Sequence, residues 1–333
     1  MNISGVSPSS FKVFEECQQK FFIEQSLKYR FPSEWKATDI GTIFHAVAEA
    51  LALIKLSIQN DSPVIEMQEL GGIWNIPDDF NDKASIHIEN LTKEIYNYYT
   101  TKIMADKQWD KKDYKTICKY VNSALNDYNG EYNPLQMDII ASEARFDINL
   151  ENTEHPFVIR GVIDLIYQGL EKDTIHVLDW KSGSRKDFVT QKVKEYEDFL
   201  EDIQLCIYHW AVSSLFPEYE HIEVTIFYLK DGGPFTVFFD RSDLDKTEKR
   251  LYNRYDEIQK LKIPRLNKSW RCEKFCPFSK NFFPEPLTEF RHGKFTKAGK
   301  PMSMCQEIEY VVKENGMEWV ELNYRKPQEE NKQ

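Results

Sequence analysis

The chain opens on an apolar pattern of helical period. Phe11, Phe14, Cys17, Phe21 and Phe22 recur at helical spacing behind Ser7-Pro8-Ser9-Ser10, which reads as an N-cap with proline in the first turn. A second helix is predicted over about Ile40–Ile58, with Ile43, Phe44, Val47, Ala48, Leu51 and Ile54 on one side, and two more over about 82–106 and 111–129. The stretch from Asp61 to Phe80, carrying Pro63, Gly71, Gly72 and Pro77, reads as a connection. The period then shortens to two. Met137–Leu150, Phe157–Tyr167 and Thr174–Lys181 are β-branched and alternating, as strands are. Lys194–Phe216 returns to helix, Ile222–Lys230 and Thr236–Phe239 form a hairpin across Asp231-Gly232-Gly233-Pro234, and Asp243–Leu261 is a last regular helix. Beyond Pro264 the chain is rich in proline, aromatics and cysteine, with little periodicity. The order implies an α/β core with a helical insertion at about 59–136 and no internal repeat.

Composition narrows the class. The chain has 333 residues, 41% hydrophobic and 29% charged, a length that suits one elaborated domain or two closely packed ones. No uninterrupted apolar run approaches the roughly 20 residues of a membrane span, and Met1–Gly5 lacks the basic start of a secretory signal. The expectation is a cytoplasmic protein with no membrane partner and six reduced cysteines. A net charge of −11 argues against coating nucleic acid by bulk charge. It leaves room for a local positive track: from Lys262 to Lys300, ten Lys or Arg are opposed by Glu273, Glu285 and Glu289. Trp270, Phe275, Phe278, Phe282, Phe283 and Phe295 are interleaved with them, a combination of stacking faces and cations that can hold single-stranded nucleic acid. Solvated basic surface and core packing are the competing readings.

Two strands carry acids that an apolar setting does not explain. Asp164 interrupts Gly161-Val162-Ile163-Asp164-Leu165-Ile166, where a lone carboxylate is costly to bury unpaired. Asp179 and Lys181 lie two apart in Asp179-Trp180-Lys181-Ser182-Gly183, so they share one face of a strand. Adjacent strands could bring two carboxylates and an ammonium to one patch. Phosphodiester hydrolysis needs such a patch: hard oxygen ligands hold Mg²⁺ or Mn²⁺, and a nearby cation stabilises developing charge. Alone, the Asp-x-Lys triplet reads equally as a strand-end ion pair.

The surrounding residues extend the triplet. Gly41-Thr42-Ile43-Phe44-His45, Gly161-Val162-Ile163-Asp164, Asp179-Trp180-Lys181-Ser182-Gly183 and Gln204-Leu205-Cys206-Ile207-Tyr208 follow one another in the chain. Together they resemble the RecB-type branch of the PD-(D/E)XK nuclease superfamily, over roughly residues 7–310. The resemblance implies a restriction-endonuclease-like core, a mixed central sheet flanked by helices, forming a single domain over 1–310. The cysteine-containing basic segment at about 262–310 would belong to it, with a C-terminal tail at 311–333. His45, Asp164 and Asp179 would hold the metal together with the Trp180 carbonyl, and Lys181 would be the catalytic lysine. Gln204 and Tyr208 would orient the scissile phosphate or Lys181. The bland alternatives are a core histidine at position 45 and a capping or solvent-facing pair at 204 and 208. Glu143, on the preceding strand, is either a further acid or half of a surface ladder with Arg145.

Iron–sulfur members of the same branch place one cysteine near the N-terminus and three after the core. Cys17, Cys272, Cys276 and Cys305 match that order and would hold a 4Fe–4S cluster; zinc, or no metal, are the alternatives. The spacing departs from the family's C-x₂-C-x₅-C: here it is C-x₃-C and then a long gap to Cys305. Cys118 and Cys206 read as core thiols.

The resemblance thus implies a metal-dependent deoxyribonuclease, an exonuclease on single strands or ends, serving replication, recombination or repair beside a helicase or recombination protein. The chain has no P-loop of its own. A non-catalytic nucleic-acid-binding or scaffold protein on the same fold is the alternative.

Overall fold

The structure, a computed structural model, describes residues 3–31, 35–187, 191–283 and 302–326. In chain order the elements are β1 (Gly5–Val6), α1 (Pro8–Glu16), α2 (Gln18–Phe21), α3 (Lys36–Gln59), β2 (Val64–Met67), β3 (Gly72–Asn75), α4 (Ala84–Tyr98), α5 (Lys111–Asn126), β4 (Ile139–Asn149), β5 (Val158–Gln168) and β6 (Thr174–Lys181). Then come α6 (Tyr196–Leu200), α7 (Ile203–Leu215), β7 (His221–Tyr228), β8 (Gly233–Phe239), α8 (Arg241–Lys260), α9 (Trp270–Phe275), α10 (Met304–Asn315) and α11 (Met317–Tyr324). The fold is mixed α/β, with a central mixed sheet flanked by helices. Two compact units divide it: residues 33–146 and 162–245 form the larger, and residues 1–32, 147–161 and 246–333 the smaller.

In the larger unit β5 and β6 pair antiparallel from Leu165↔Leu178 to Gln168↔Ile175. β6 and β7 pair parallel along their whole length, and β8 closes against β7 as a hairpin. Helix α3 packs on this sheet. Its Ile43, Phe44, Val47, Leu51 and Ile54 share one apolar core with Ile88, Leu91 and Ile95 of α4, Ile117 and Val121 of α5, and Leu165, Leu178, Trp180 and Phe227 of the strands. By length and composition α3 is apolar enough to cross a membrane, but 61% of that stretch is buried in this core. A helix buried on most of its circumference needs no polar stripe.

In the smaller unit β1 pairs parallel with the first residues of β5, Gly5↔Val158 and Val6↔Ile159. Its core joins Phe22, Ile23 and Leu27 to Phe278 and Phe283 and to Met304, Ile308, Val311, Val312, Met317 and Val320 of α10 and α11. Residues 304–324, expected to lack period and from 311 onward to be a tail, are therefore two packed helices.

Three further expectations shift. The predicted connection at 61–80 contains the β2–β3 hairpin, paired from Val64↔Asn75 to Met67↔Gly72. The long helix at 194–216 is broken at Glu201–Asp202, where the Asp202 carboxylate accepts from the Gln204 amide and starts α7 afresh. The helix expected over 82–106 ends at Tyr98 and passes into a π-turn over Tyr99–Ile103.

Candidate active site

Sequence-local geometry explains how the site comes together. Asp164 and Asp179 stand one step beyond the Leu165↔Leu178 pair, so antiparallel pairing alone makes them neighbours. The Trp180 amide donates to Asp164 Oδ2 at 2.8 Å and fixes one end of that carboxylate. Lys181 Nζ lies 2.7 Å from Asp179 Oδ2, on the shared strand face that the two-residue spacing dictates. On α3, Gly41 and His45 are one turn apart. A Cβ at position 41 would sit 2.7 Å from Ser182 Oγ, so glycine lets the helix come this close to the end of β6. One turn on, His45 Nδ1 is 3.3 Å from Asp164 Oδ2.

Gln204 and Tyr208 occupy successive turns of α7 and face Asp179. Gln204 Nε2 lies 3.0 Å from Asp179 Oδ1 and 2.7 Å from the Tyr208 hydroxyl. That hydroxyl donates to the Val162 carbonyl at 3.0 Å, with Asp179 Oδ1 at 3.3 Å. The pair thus grips a carboxylate that is 1% exposed. Its Oδ2 accepts no well-formed hydrogen bond among the described residues and relies on the Lys181 charge.

Glu143, which the sequence left between two readings, is part of this constellation. Its ligand oxygen, a ring nitrogen of His45 and an oxygen of Asp164 all lie within 4.8 Å of one another. Glu143 has a φ of 46°, a left-handed conformation that glutamate rarely adopts inside a strand. Trp180 lines the site beside Asp164, to which its amide donates, and its carbonyl is the group the resemblance implies as a metal ligand.

A cleft of about 810 Å³ is lined by His45, Glu49, Glu143, Asp164, Lys181 and Lys230, among others. Burial, then the charges of Asp164 and Glu49, push the Glu143 carboxyl up to about 7. Burial disfavours an ionised Asp164, but the contact with His45 and the charges of His45 and Lys181 outweigh it and hold its pKa below the ordinary range. Burial would likewise lower His45, yet Asp164 and Asp179 raise it. Burial raises Asp179 despite the Lys181 ammonium, and Lys181, lowered by burial, is raised more by Asp179. Two carboxylates, of Glu143 and Asp164, and the His45 imidazole thus set ligand atoms within 4.8 Å of one another. A divalent cation fits such a donor set: carboxylates suit Mg²⁺ or Mn²⁺, and an imidazole nitrogen tips the balance towards Mn²⁺.

The cysteines lie in the smaller unit, apart from Cys118 in α5 and the buried Cys206 in α7. Cys17 ends α1, Cys272 lies in α9, Cys276 follows it, and Cys305 opens α10. Burial pushes the Cys305 thiol up to about 12, and the charges that Cys276, Cys17 and Cys272 would carry add to the rise. Gln19 Nε2 lies 3.1 Å from Cys305 Sγ, while Gln19 Oε1 is buried with no hydrogen-bond partner among the described residues.

Of the basic track, Lys268 pairs with Glu309 at 3.2 Å, Lys280 caps the Lys274 carbonyl, and Phe278 and Phe283 are buried in the core. Trp270 and Phe282 are exposed. Arg291, Lys294, Phe295, Lys297 and Lys300 lie outside the described residues.

The sequence model of the PD-(D/E)XK nuclease superfamily matches residues 5–280. The chain belongs to this superfamily. PD-(D/E)XK nucleases use divalent metals, which accords with the donor set above. Among solved structures, a candidate exonuclease from Eubacterium rectale is 14% identical, with 90% of this chain and 91% of that chain covered and a TM-score of 0.47. The protein SSO0001 is 18% identical, with 61% and 76% covered and a TM-score of 0.29. No curated relative matches the chain.

Proposed function

We propose that this PD-(D/E)XK nuclease is a metal-dependent deoxyribonuclease of the RecB-type branch, acting in the cytoplasm as an exonuclease on single strands or ends during replication, recombination or repair. A helicase or recombination protein is the partner class that such an activity fits. The observation that carries the reading is the convergence of His45, Glu143, Asp164 and Lys181 on one open cleft, with the buried Asp179 paired to Lys181.

His45, Glu143, Asp164 and Asp179 would hold the cation, which when bound polarises the scissile phosphate and acidifies a water. Lys181 remains an ammonium beside Asp179 and offers its charge to the phosphate oxygens as negative charge develops there. Gln204 and Tyr208 act on Asp179 Oδ1, fixing the carboxylate that in turn fixes Lys181. Both are positioning residues.

The smaller unit would hold a 4Fe–4S cluster on Cys17, Cys272, Cys276 and Cys305. One contact supports this: the Met304 amide donates to the Asn281 carbonyl at 2.8 Å, which brings Cys305 close to Asn281, five residues after Cys276. The cluster's role would be to tie Cys17 to α10.

The test is cleavage of end-labelled single- and double-stranded DNA by anaerobically purified protein with Mn²⁺, Mg²⁺ or EDTA, beside Asp179→Ala. Metal-dependent degradation absent from the variant is expected. Intact DNA from folded, metal-supplied protein would overturn the reading in favour of a binding protein.

A further inference from the structure

The helical insertion carries a second hollow beside the cleft. About 530 Å³ in volume, it is lined by Lys93, Tyr96, Trp109, Lys111 and Tyr114, together with Asn97 and Asp110. Hollows of roughly 300–1,000 Å³ take drug-sized ligands, a class that includes a nucleotide. The three rings meet at angles: Tyr96 and Tyr114 are 5.0 Å apart and tilted by 59°, and Tyr96 and Trp109 are 5.9 Å apart, edge to face. All three side chains are half-buried, anchored in the insertion yet still open to a ligand.

The charge around the rings is complementary to phosphate. Lys93 and Lys111 are exposed and have no ion-pair partner among the described residues. The acid on the rim, Asp110, has Oδ1 engaged by the Lys112 and Asp113 amides as the cap of α5. Lys112, Lys115 and Lys119 are likewise exposed along α5, while Thr116 and Tyr120 of the same helix line the catalytic cleft. Lys36 joins the two hollows. It lines the cleft, pairs with Asp113 at 3.0 Å, and holds its ammonium 4.0 Å over the Trp109 ring.

We propose that Tyr96, Trp109 and Tyr114, with Lys93 and Lys111, form a stacking subsite for an unpaired base of single-stranded DNA, whose phosphates run along the lysines of α5 into the cleft. The subsite rests on the nuclease reading of that cleft. Aromatic faces and cations bind single strands without regard to sequence, because every base offers a π-face. A paired base keeps its faces in the duplex stack and cannot enter. The subsite therefore selects single strands and sets how the chain approaches the metal.

The experiment compares wild type, Trp109→Leu, and the Lys93→Glu/Lys111→Glu double variant. Binding of fluorescein-labelled dT₂₀ and of a blunt 20-bp duplex is followed by anisotropy in EDTA at low salt. Hydrolysis of thymidine 5′-p-nitrophenyl phosphate with Mn²⁺ is measured in parallel. Each variant is expected to weaken dT₂₀ binding about tenfold, with little change on the duplex or in hydrolysis of the small ester. The double variant's loss should shrink as salt rises. The surface double variant keeps the test open should Trp109→Leu fail to fold. Affinity for dT₂₀ within twofold of wild type in the folded variants, or an equal loss on duplex, overturns the subsite, as does a wild type that does not bind dT₂₀. If the variants lose single-strand binding while wild type hydrolyses neither ester nor DNA, the nuclease reading falls and the stacking subsite stands.

Discussion

In the carboxylate cluster, Asp164, Asp179 and Lys181 come from strands paired residue to residue, and a slip of one position would turn them to the other face. In the smaller unit, the four thiols proposed to hold a cluster are placed otherwise: Cys17, Cys276 and Cys305 sit at helix ends and Cys272 on a six-residue helix, so sheet register does not hold them. Cations also stand beside the first set, Lys181 next to Asp179 and His45 next to Asp164, whereas burial and the neighbouring thiols both raise Cys305. Metal loss should therefore silence the first cluster while leaving its fold in place. In the second it should loosen the structure itself.

The strongest way to break that contrast is to remove Asp179 or Lys181. Asp179→Ala and Lys181→Ala are each expected to lower DNA cleavage by at least about 10³-fold, since both the metal environment and the charge facing the phosphate are lost. The circular dichroism spectrum should remain that of wild type. Near-normal cleavage in either variant would sink the site assignment. Cys17→Ala or Cys272→Ser should act in the opposite sense, bleaching visible absorbance and lowering the melting temperature by about 5–10 °C, because metal binding contributes directly to folding. An unchanged spectrum and melt would leave the four thiols without a cluster.

Glu143 sharpens the comparison from within the first cluster. Glu143→Gln is expected to weaken Mn²⁺ binding about tenfold or more by isothermal titration calorimetry; equal affinities would remove it from the ligand set. The same residue predicts a pH effect. Its folded pKa of about 7 lies above the ordinary 4.5, so between those values the folded chain keeps a proton that the unfolded chain releases. Stability without metal should therefore fall as pH rises from about 4.5 to about 7. Melts in EDTA across that range check this, and Glu143→Gln should flatten the fall. Gly41→Ala has the smallest expected effect, about 1–2 kcal/mol from a Cβ pressed on Ser182. Urea titration measures it, and a neutral result would mean that Ser182 swings aside.

The motif residues were legible because their partners lie two or four positions along the chain. Asp179 and Lys181 share a strand face, and Gly41 with His45, or Gln204 with Tyr208, share a helix face. Glu143 was not, and the reason is local. Its left-handed φ breaks the alternation of β4, so period-two reasoning cannot say which side it faces. The β2–β3 hairpin was hidden by the glycines and prolines around it. α10 was masked by the long spacing to Cys305, which reads as irregular chain until Asn281 and Met304 are seen to touch.

By itself, the sequence determined the α/β class, the order of most helices and strands between α3 and α8 and the spacing of each motif, because covalent geometry sets side-chain direction within one strand or helix. The tertiary structure decided that Glu143 joins His45 and Asp164, that Gln204 and Tyr208 grip Asp179, and that Cys305 follows Asn281 in space. Those outcomes depend on burial and on contacts between residues far apart in the chain, and no local period encodes them.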